Sequence, residues 1–349
     1  MEFQKYSSIE NTYREKNLFE IQTRGLDQGE WVVSEKVHGS NFSLWLDKAG
    51  LRCARRSGFI ALGDKFFNWE NIISAYDTHI SLLYQICNSF LDNLVEDGNI
   101  KMKNDNVEVV LFGEIFGGLY DHKEVERYQG AMKVQKGVQY CPWNDFYAFD
   151  LKINGSFMNY DIFSQTMERL GFHYAKALFR GSLKECLKYP NDNPTILPKK
   201  FGLPEIPDNI SEGVVIKPVM NKFLPSGSRV ILKNKNARFK ENESTKVKTS
   251  NIKYILTERE ADIISIATQY TTENRLRNVI SHIGEITQNM FGKLLGAFCK
   301  DIIEDMDKDN IDLFMDIEKD RMKIINKAIN KNVQEFMRER FLNIIDGVF

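Results

Sequence analysis

Trp31-Val32-Val33-Ser34-Glu35-Lys36-Val37-His38-Gly39 begins as an apolar, β-branched run and ends with a lysine before a glycine. This pattern predicts a strand that ends at Lys36. A lysine amine attacks phosphorus only after losing its proton, and the unperturbed lysine pKa of ~10.4 makes the neutral amine scarce. Desolvation and neighbouring cations can lower that pKa. Taken alone, the motif favours a solvent-exposed lysine in a turn. Whether Lys36 is instead a nucleophile depends on the other segments of the chain.

Five more segments carry polar residues in or at the ends of short strands. Their shared feature is a charged or aromatic side chain flanked by glycine or by β-branched residues. In chain order they are Arg52-Cys-Ala-Arg-Arg56-Ser-Gly58, Leu111-Phe-Gly-Glu114-Ile-Phe-Gly-Gly118, Asp145-Phe-Tyr-Ala-Phe149-Asp150, Glu212-Gly-Val-Val-Ile-Lys217-Pro218 and Val230-Ile-Leu-Lys233-Asn-Lys235.

These side chains suit a nucleotide, although each has an ordinary structural alternative. Burying the Glu114 carboxylate costs several kcal/mol unless a partner such as a ribose hydroxyl satisfies it. A carboxylate such as Glu212 can hold Mg²⁺ beside phosphates. Lys233 and Lys235 are two apart, so they share one strand face and could attract a triphosphate. Phe149 could stack on a purine, but such alternation is more often ordinary core.

The chain divides into a strand-rich part and a helical part. All eight prolines lie between Pro142 and Pro225, and most strand patterns precede residue 235. Helices are predicted for 71–94 and 161–170, and again after a capping box at Thr257–Glu260, ending with one over 313–342. We therefore predict an α+β fold, with a domain over 1–243, a polar linker over 244–251 and an all-helical domain over 252–349.

Composition limits the class of protein. The chain has 349 residues, 47 basic and 48 acidic, with a formal charge of −1 and 42% hydrophobic residues, which excludes a disordered chain. Five scattered cysteines without a C-x-x-C motif argue against disulfides or zinc and favour a reducing compartment. No apolar run reaches ~20 residues and no signal or transit peptide is present, so we expect a soluble, cytoplasmic or otherwise intracellular protein with no membrane partner.

The order of the six segments resembles the covalent nucleotidyltransferase superfamily, and most closely the RNA ligase 2 family of the phage double-strand RNA ligase and the trypanosome RNA-editing ligases. The histidine in Lys-x-His-Gly, the stretch Phe-Gly-Gly-Leu-Tyr120-Asp-His122 and the tail around Asn274-Arg275 carry this resemblance. It implies an ATP-grasp-like nucleotidyltransferase domain on antiparallel sheets. The implied activity is an ATP-dependent RNA ligase that joins 5′-phosphate and 3′-hydroxyl ends, on nicked duplex RNA in repair or editing, as a monomer.

The resemblance also implies a role for each matching residue. Lys36 would carry AMP, with ATP and Mg²⁺ (or Mn²⁺) as cofactors and Glu212 on the metal. His38, Lys233 and Lys235 would share in catalysis, and His38 and Asn41 in the RNA-joining steps. The implied nucleotide-binding set is Glu35, Lys36, Asn41, Arg56, Glu114, Phe149, Glu212, Lys217, Lys233 and Lys235, and the implied RNA-joining set is Phe66, Phe67, Arg275 and Asp301.

Two other classes compete with this prediction. A capping guanylyltransferase or a DNA ligase usually has a β-rich OB domain after the sixth motif, where this chain has a proline-free helical segment. A non-catalytic RNA-end-binding module would be expected to lose Lys36 or the cations around it, and both are present.

Overall fold

The computed structural model describes residues 1–89, 107–239, 257–310 and 313–349. These residues form two compact units, Met1–Arg238 and Phe239–Phe349. The predicted linker over 244–251 lies outside the described residues, so its bounds and those of the two predicted domains stay predictions.

The first unit is built on two sheets. The strands in chain order are β1 (Glu10–Asn11), β2 (Trp31–Lys36), β3 (Ser40–Asp47), β4 (Gly50–Arg55), β5 (Gly58–Phe59), β6 (Val109–Gly117), β7 (Asn144–Ile153), β8 (Ser156–Phe157), β9 (Ala177–Gly181), β10 (Gly213–Pro218) and β11 (Leu232–Lys235). One sheet has the order β1-β11-β10-β2-β9 and the other β5-β4-β3-β6-β7-β8. Every pairing is antiparallel except that of β1 with β11.

Helices flank these sheets in the first unit and form the second unit. In the first unit they are α1 (Glu15–Thr23), α2 (Trp69–Ser89), α3 (Tyr160–Leu170), α4 (Leu183–Cys186) and α5 (Leu197–Lys200). In the second they are α6 (Glu258–Tyr270), α7 (Glu273–Ile283), α8 (Phe291–Asp309), α9 (Lys319–Arg338) and α10 (Phe341–Ile345). The α+β prediction is confirmed. None of the described helices combines the length and the apolar character that a bilayer crossing requires.

Apolar periodicity explains how the elements pack. In the first unit, Phe42 and Leu111 of the six-stranded sheet share one core with Leu83 of α2 and Phe163 of α3. A second core lies on the five-stranded sheet and includes Trp31. One face of each sheet therefore packs against an apolar core. Burial of that face fixes the register of the strands that carry the polar residues.

The helical unit follows its predicted signals with one exception. The Thr257 side chain accepts a hydrogen bond from Glu260 N, and the Glu260 side chain accepts one from Thr257 N, so the capping box is confirmed. The single helix predicted over 313–342 is wrong. The chain turns at Asp316, where φ is 58°, and then forms α9 and α10 separately. Apolar spacing alone does not reveal this left-handed turn.

Phe298 tests the core of the helical unit. Its side chain is fully buried in the cluster that includes Leu276, Ile302 and Val333. Phe298→Ala should lower the free energy of unfolding of this unit by about 3–5 kcal/mol, because it removes a buried ring and leaves a cavity. Denaturant titration measures this. Lys300→Ala, on the exposed side of the same helix, should change it by less than about 0.5 kcal/mol; equal losses in both variants would contradict the packing.

Candidate active site

Three neighbouring strands bring two lysines to one point. Lys36 ends β2 and lies opposite Gly213 of β10. Lys235 of β11 lies opposite the same glycine on the other side. Directly paired residues of adjacent strands project to the same face of a sheet. The row Lys36–Gly213–Lys235 therefore places two cationic side chains around Glu212, the residue before Gly213.

Glu212 is the centre of this cluster. Its Oε2 accepts a hydrogen bond from Lys36 Nζ at 2.6 Å and lies 3.4 Å from His38 Nδ1, while its Oε1 is 3.1 Å from Lys235 Nζ. The carboxylate is almost fully buried. Burial alone would raise its pKa, but Lys36, Lys235 and His38 outweigh burial and hold the pKa well below the ordinary value. Glu212 is therefore a carboxylate that stays charged in a closed, cationic setting.

Gly213 is required by the tight contact between β10 and β11. Its φ is +146°, and a Cβ added there would lie 2.2 Å from the backbone oxygen of Asn234 and 2.8 Å from Lys235 Cα. Any side chain would push β11 away. The glycine after Glu212 therefore holds Lys235 within reach of the carboxylate.

A second carboxylate, Glu114 of β6, lies beside the cluster. Burial raises its pKa to about 7, Lys36 and Arg56 oppose that rise, and Glu212 adds to it. A Cβ on Gly39 would clash with Ile115 O at 2.4 Å and would lie only 3.0 Å from Glu114 Cβ. The glycine of Lys-x-His-Gly thus lets the chain after β2 pass directly over β6. The structure brings Lys36 and Arg56 close enough to Glu114 to act on its charge.

Asn41 and His38 complete this side of the site. Asn41 of β3 pairs directly with Glu114 of β6, so both side chains project to the same face. The His38 backbone N–H donates to the Tyr140 hydroxyl at 2.7 Å, which fixes the turn between β2 and β3. A cavity of about 200 Å³ opens next to His38 and has Lys133 and Lys136 in its lining.

Lys217 lies in a different group from the Glu212 cluster. Its buried Nζ donates to Phe149 O at 2.9 Å and lies 3.6 Å from Asp150 Oδ1. Burial lowers its pKa to about 8, against the pull of Asp150. Phe149 is the extra residue where β7 shifts register against β6, between Ala148 and Asp150. Such a bulge re-aims a side chain, and the Phe149 ring lies 5.0 Å from that of Tyr6.

A buried hydrogen-bonded network that the sequence did not predict lies behind Phe149. Asp150 is fully buried, accepts from the Tyr6 hydroxyl at 2.7 Å and pairs with the guanidinium of Arg229, which also bonds to Asn221. Despite burial, Arg229 and Lys217 hold the Asp150 pKa below its ordinary value. A buried, fully paired carboxylate of this kind positions its neighbours. The only sequence signals were the acid that ends Phe-Tyr-Ala-Phe-Asp and the arginine that precedes Val-Ile-Leu-Lys.

Two further predicted site residues take different positions. Lys233 of β11 lies opposite Val215 of β10, on the same face as Lys235. The Glu35 carboxylate accepts from Thr195 Oγ1 at 2.5 Å and from Ile196 N at 3.0 Å, and burial raises its pKa to about 7. Successive strand residues face opposite sides, so Glu35 fastens the segment at 195–196 while Lys36 faces Glu212.

Three of the four residues predicted for RNA joining are buried, and the side chain of the fourth, Asp301, is 30% exposed. Phe66 and Phe67 lie in the main core, with 2% and 9% exposure, so neither ring presents an open face for stacking. Arg275 is 2% exposed, and its guanidinium bonds to Asp301 at 2.6 Å and Asp305 at 3.1 Å, joining α7 to α8. This ion pair lies within the helical unit.

The structure fits a metal that arrives with a phosphate-bearing substrate. Among the described residues, no group of three or more His, Cys, Asp or Glu side chains is arranged to hold a metal ion. Mg²⁺ usually takes one or two carboxylates and completes its shell with substrate phosphates and water. Glu212 and Glu114 are the carboxylates placed for this. All five cysteines are buried and outside disulfides.

The raised pKa of Glu114 predicts how the stability of the nucleotide-free protein depends on pH. An acid whose pKa rises from 4.5 to about 7 on folding stabilises fully below pH 4.5, and that contribution is lost as pH rises through 7. Glu114→Gln keeps the shape without the charge. The unfolding temperature of Glu114→Gln minus that of the unmutated protein should therefore increase as the pH is raised from 5 to 8. A pH-independent difference in thermal denaturation would contradict the buried position of this carboxyl.

Comparison with known proteins identifies the family. A family model described as RNA ligase matches residues 29–235, more than half of the chain, and one described as T4 RNA ligase 2 C-terminal matches residues 252–335. The mitochondrial RNA-editing ligase 2 of Trypanosoma brucei brucei is 27% identical over 363 residues, covering 88% of this chain and 83% of that protein. RNA-editing ligase 1 of the same organism is 31% identical over 238 residues, covering 59% of this chain and 48%, about half, of that protein.

The fold also has a weak similarity to solved RNA ligase structures. A Naegleria gruberi RNA ligase mutant with AMP and Mn is similar at 14% identity and a TM-score of 0.41, covering 68% of this chain and 58% of that one. This similarity is too low to support an argument. The two family models support one: an RNA ligase domain is followed by a T4 RNA ligase 2 C-terminal domain. This order favours an RNA ligase over a capping enzyme, a DNA ligase or a non-catalytic binding module. The chain belongs to the RNA ligase family, which confirms the prediction of an ATP-dependent RNA ligase.

Proposed function

We propose that this ligase joins RNA ends through an AMP group carried on Lys36 Nζ. The observation that carries the proposal is the buried Glu212 carboxylate, which has Lys36 Nζ at 2.6 Å, Lys235 Nζ at 3.1 Å and His38 Nδ1 at 3.4 Å. Phosphoryl transfer depends mainly on positioning and on neutralising charge. This cluster supplies a nucleophile, cations and an acid in one place.

Lys36 acts in the first step. Without nucleotide, Lys36 Nζ donates a hydrogen bond to Glu212. With ATP and a divalent cation bound, Glu212 would hold the cation, and Lys36 would be free to attack once its amine has lost a proton. The Nζ lone pair then forms a bond to the α-phosphorus of ATP. The bond from that phosphorus to the bridging oxygen breaks, and pyrophosphate leaves with the electron pair.

Glu212 and Glu114 would hold the divalent cation, Mg²⁺ or Mn²⁺, against the ATP phosphates. Bound there, the cation would neutralise the charge that develops on the departing pyrophosphate. Lys233 and Lys235, on one face of β11, would bind the phosphates. Glu114 reaches the ribose and Phe149 stacks on adenine, with Lys217, Asp150 and Arg229 holding Phe149 from behind. The Glu35 carboxylate accepts a hydrogen bond from Thr195 Oγ1 and holds that segment in place beside β2.

The next two steps use RNA with a 5′-phosphate and a 3′-hydroxyl as the substrate. An oxygen of the 5′-phosphate attacks the phosphorus of the lysyl-AMP, the N–P bond breaks and the amine recovers a proton. The 3′-hydroxyl then attacks the activated 5′-phosphorus, loses its proton and expels AMP. Lys133 and Lys136 line the cavity beside His38 and supply positive charge for the incoming RNA end. Asn41 takes part in the later steps with His38.

The natural substrate in this proposal is a nick in duplex RNA, sealed by a monomer in RNA repair or editing. The relatives named as mitochondrial RNA-editing ligases support the editing role. Arg275, held by Asp301 and Asp305, maintains the helical unit that serves transfer of AMP to RNA.

Lys36→Ala tests the nucleophile. The variant should form no acid-labile AMP adduct with radiolabelled ATP, because the proposed nucleophile is removed and Lys235, the other amine beside Glu212, binds the phosphates in this proposal. Lys65→Ala, at a lysine outside the cluster, is the matched control and should label normally. Undiminished labelling of the Lys36 variant would refute the proposal, and labelling by GTP in place of ATP would refute the choice of nucleotide.

His38→Ala separates the steps. His38 lies on the side of Glu212 that faces the cavity lined by Lys133 and Lys136, so its loss should slow the sealing of 5′-phosphate RNA at least tenfold. Formation of the AMP adduct should change by less than about threefold. Single-turnover assays with ATP and with pre-adenylylated RNA measure the two separately. A parallel loss of both activities would contradict this division.

A further inference from the structure

The loop between β6 and β7 supports the turn that carries His38. Within this loop, the 135–140 segment makes two hydrogen bonds to that turn. The Tyr140 hydroxyl accepts one from His38 N at 2.7 Å, and Gln135 Nε2 donates the other to Gly39 O at 3.3 Å. Both bonds are made to backbone atoms, so they fix the path of the chain from which the His38 imidazole projects.

The same loop is held firmly at its base. Gly118 N donates to Trp143 O at 2.7 Å, and Val134 N donates to Gly117 O at 3.2 Å. Gly117 and Gly118 both have positive φ, 81° and 86°, and a Cβ on either would overlap backbone atoms of this loop. The 135–140 segment is therefore a fixed support for the turn.

The 135–140 segment is also bonded to the chain that leads to Glu212. Gln139 N donates to Asn209 Oδ1 at 2.9 Å, and Asn209 Nδ2 donates back to Gln139 O at 2.6 Å. Asn209 lies three residues before Glu212. One short segment thus contacts both pieces of chain whose side chains meet where His38 Nδ1 lies 3.4 Å from Glu212 Oε2.

Tyr140 is well suited to accept the hydrogen bond from His38. It is 1% exposed, and its ring packs edge-to-face against that of Phe116, with 5.4 Å between the ring centroids. Burial, with Glu35 and Glu212 nearby, raises the pKa of Tyr140 well above its ordinary value, so the hydroxyl stays neutral. An N–H that is shielded from water is costly to leave without an acceptor, which ties the His38 backbone to Tyr140.

The position of Lys36 depends less on this support. Lys36 lies within β2 and pairs with Gly213 of β10, so the register of the sheet sets its position. His38 lies beyond the end of β2 and before β3 begins at Ser40. The contacts from the 135–140 segment therefore place His38 more than they place Lys36.

We infer that Tyr140, on the 135–140 segment, is a positioning residue for RNA joining: its hydroxyl holds the His38 backbone so that the imidazole stays beside Glu212. The inference rests on the proposed function, since it explains how His38 is placed for the steps assigned to it there. Tyr140 acts through His38. A catalytic group must be held in its productive position, and a displacement of about 1 Å can slow a reaction about 10²-fold.

Tyr147 provides a matched control. It is 2% exposed, and its ring packs edge-to-face against that of the same Phe116, at 6.3 Å. Its buried hydroxyl has no hydrogen-bond partner among the described residues. Tyr140→Phe and Tyr147→Phe therefore each remove a buried hydroxyl from the same aromatic cluster, but only the first removes the acceptor of the His38 N–H.

The test follows the joining of pre-adenylylated, nicked duplex RNA by the full chain in single-turnover assays. Tyr140→Phe should lower the rate constant at saturating RNA about 5- to 20-fold, because His38 is displaced. The half-saturating RNA concentration should change by less than about twofold, and formation of the AMP adduct by less than about threefold. Tyr147→Phe should match the unmutated protein in all three measurements.

A double variant separates positioning from a general structural role. In the His38→Ala background no imidazole is left to position, so Tyr140→Phe should lower the joining rate constant by less than about a further twofold. A loss that multiplies with that of His38→Ala would mean that Tyr140 acts on something other than His38, and would overturn the inference.

Gln135→Ala gives a second, independent variant. It removes the other bond to the turn and leaves the aromatic cluster intact, so it replaces Tyr140→Phe if thermal unfolding shows that variant to be poorly folded. Its joining rate constant should fall about two- to fivefold, and this loss should also disappear in the His38→Ala background.

The position of the imidazole is measured apart from activity. Nitrogen-15 labelling gives ring signals from the five histidines, and His38→Ala identifies that of His38. Tyr140→Phe should shift or broaden this signal, whereas Tyr147→Phe should leave it unchanged. An unchanged signal or unchanged joining in Tyr140→Phe, or an equal loss of joining in Tyr147→Phe, would overturn the inference. If the unmutated protein seals no RNA, the proposed function fails, while the His38 signal still decides whether Tyr140 holds that side chain.

Discussion

The Glu212 carboxylate is the constraint on which the rest of the site depends. It is buried, it stays charged, and it holds Lys36, Lys235 and His38 within 3.4 Å of its oxygens. Gathering cations in a closed site costs free energy unless an anion compensates them. Glu212 compensates them in the folded protein, and in the proposed mechanism the ATP phosphates would take over that role. The same acid would then both stabilise the nucleotide-free protein and hold the cations where the phosphates bind.

The backbone has to come close for this arrangement to exist. Gly213 allows β11 to pass against β10, and Gly39 allows the chain after Lys36 to pass over β6 at Glu114. Both glycines avoid backbone clashes that a Cβ would create. The glycines in the two motifs thus act through the distances between strands. They place two carboxylates from separate sheets next to one lysine.

A second buried carboxylate organises the other end of the site. Asp150 pairs with Arg229 and Tyr6 and lies beside Lys217, whose Nζ binds the carbonyl of the bulged Phe149. Removing one partner of such a network would leave a buried charge uncompensated. In the proposed function the Glu212 cluster would bind the phosphates and Phe149, held by the Asp150 network, would stack on the base, so the two ends of the nucleotide would meet different chemistry.

By itself the sequence determined the α+β class, most of the strands and helices, the capping box at Thr257 and the family, because these depend on local period and on the order of motifs. It also predicted that Lys233 and Lys235 share a face, since side chains alternate along any strand. Tertiary structure alone decided which residues meet. Register between distant strands brought Lys36, Glu212 and Lys235 together, sent Lys217 to Asp150 and turned Glu35 toward Thr195, and packing buried Phe66 and Phe67. Pairings between residues far apart in the chain depend on how the cores pack, which local patterns do not encode.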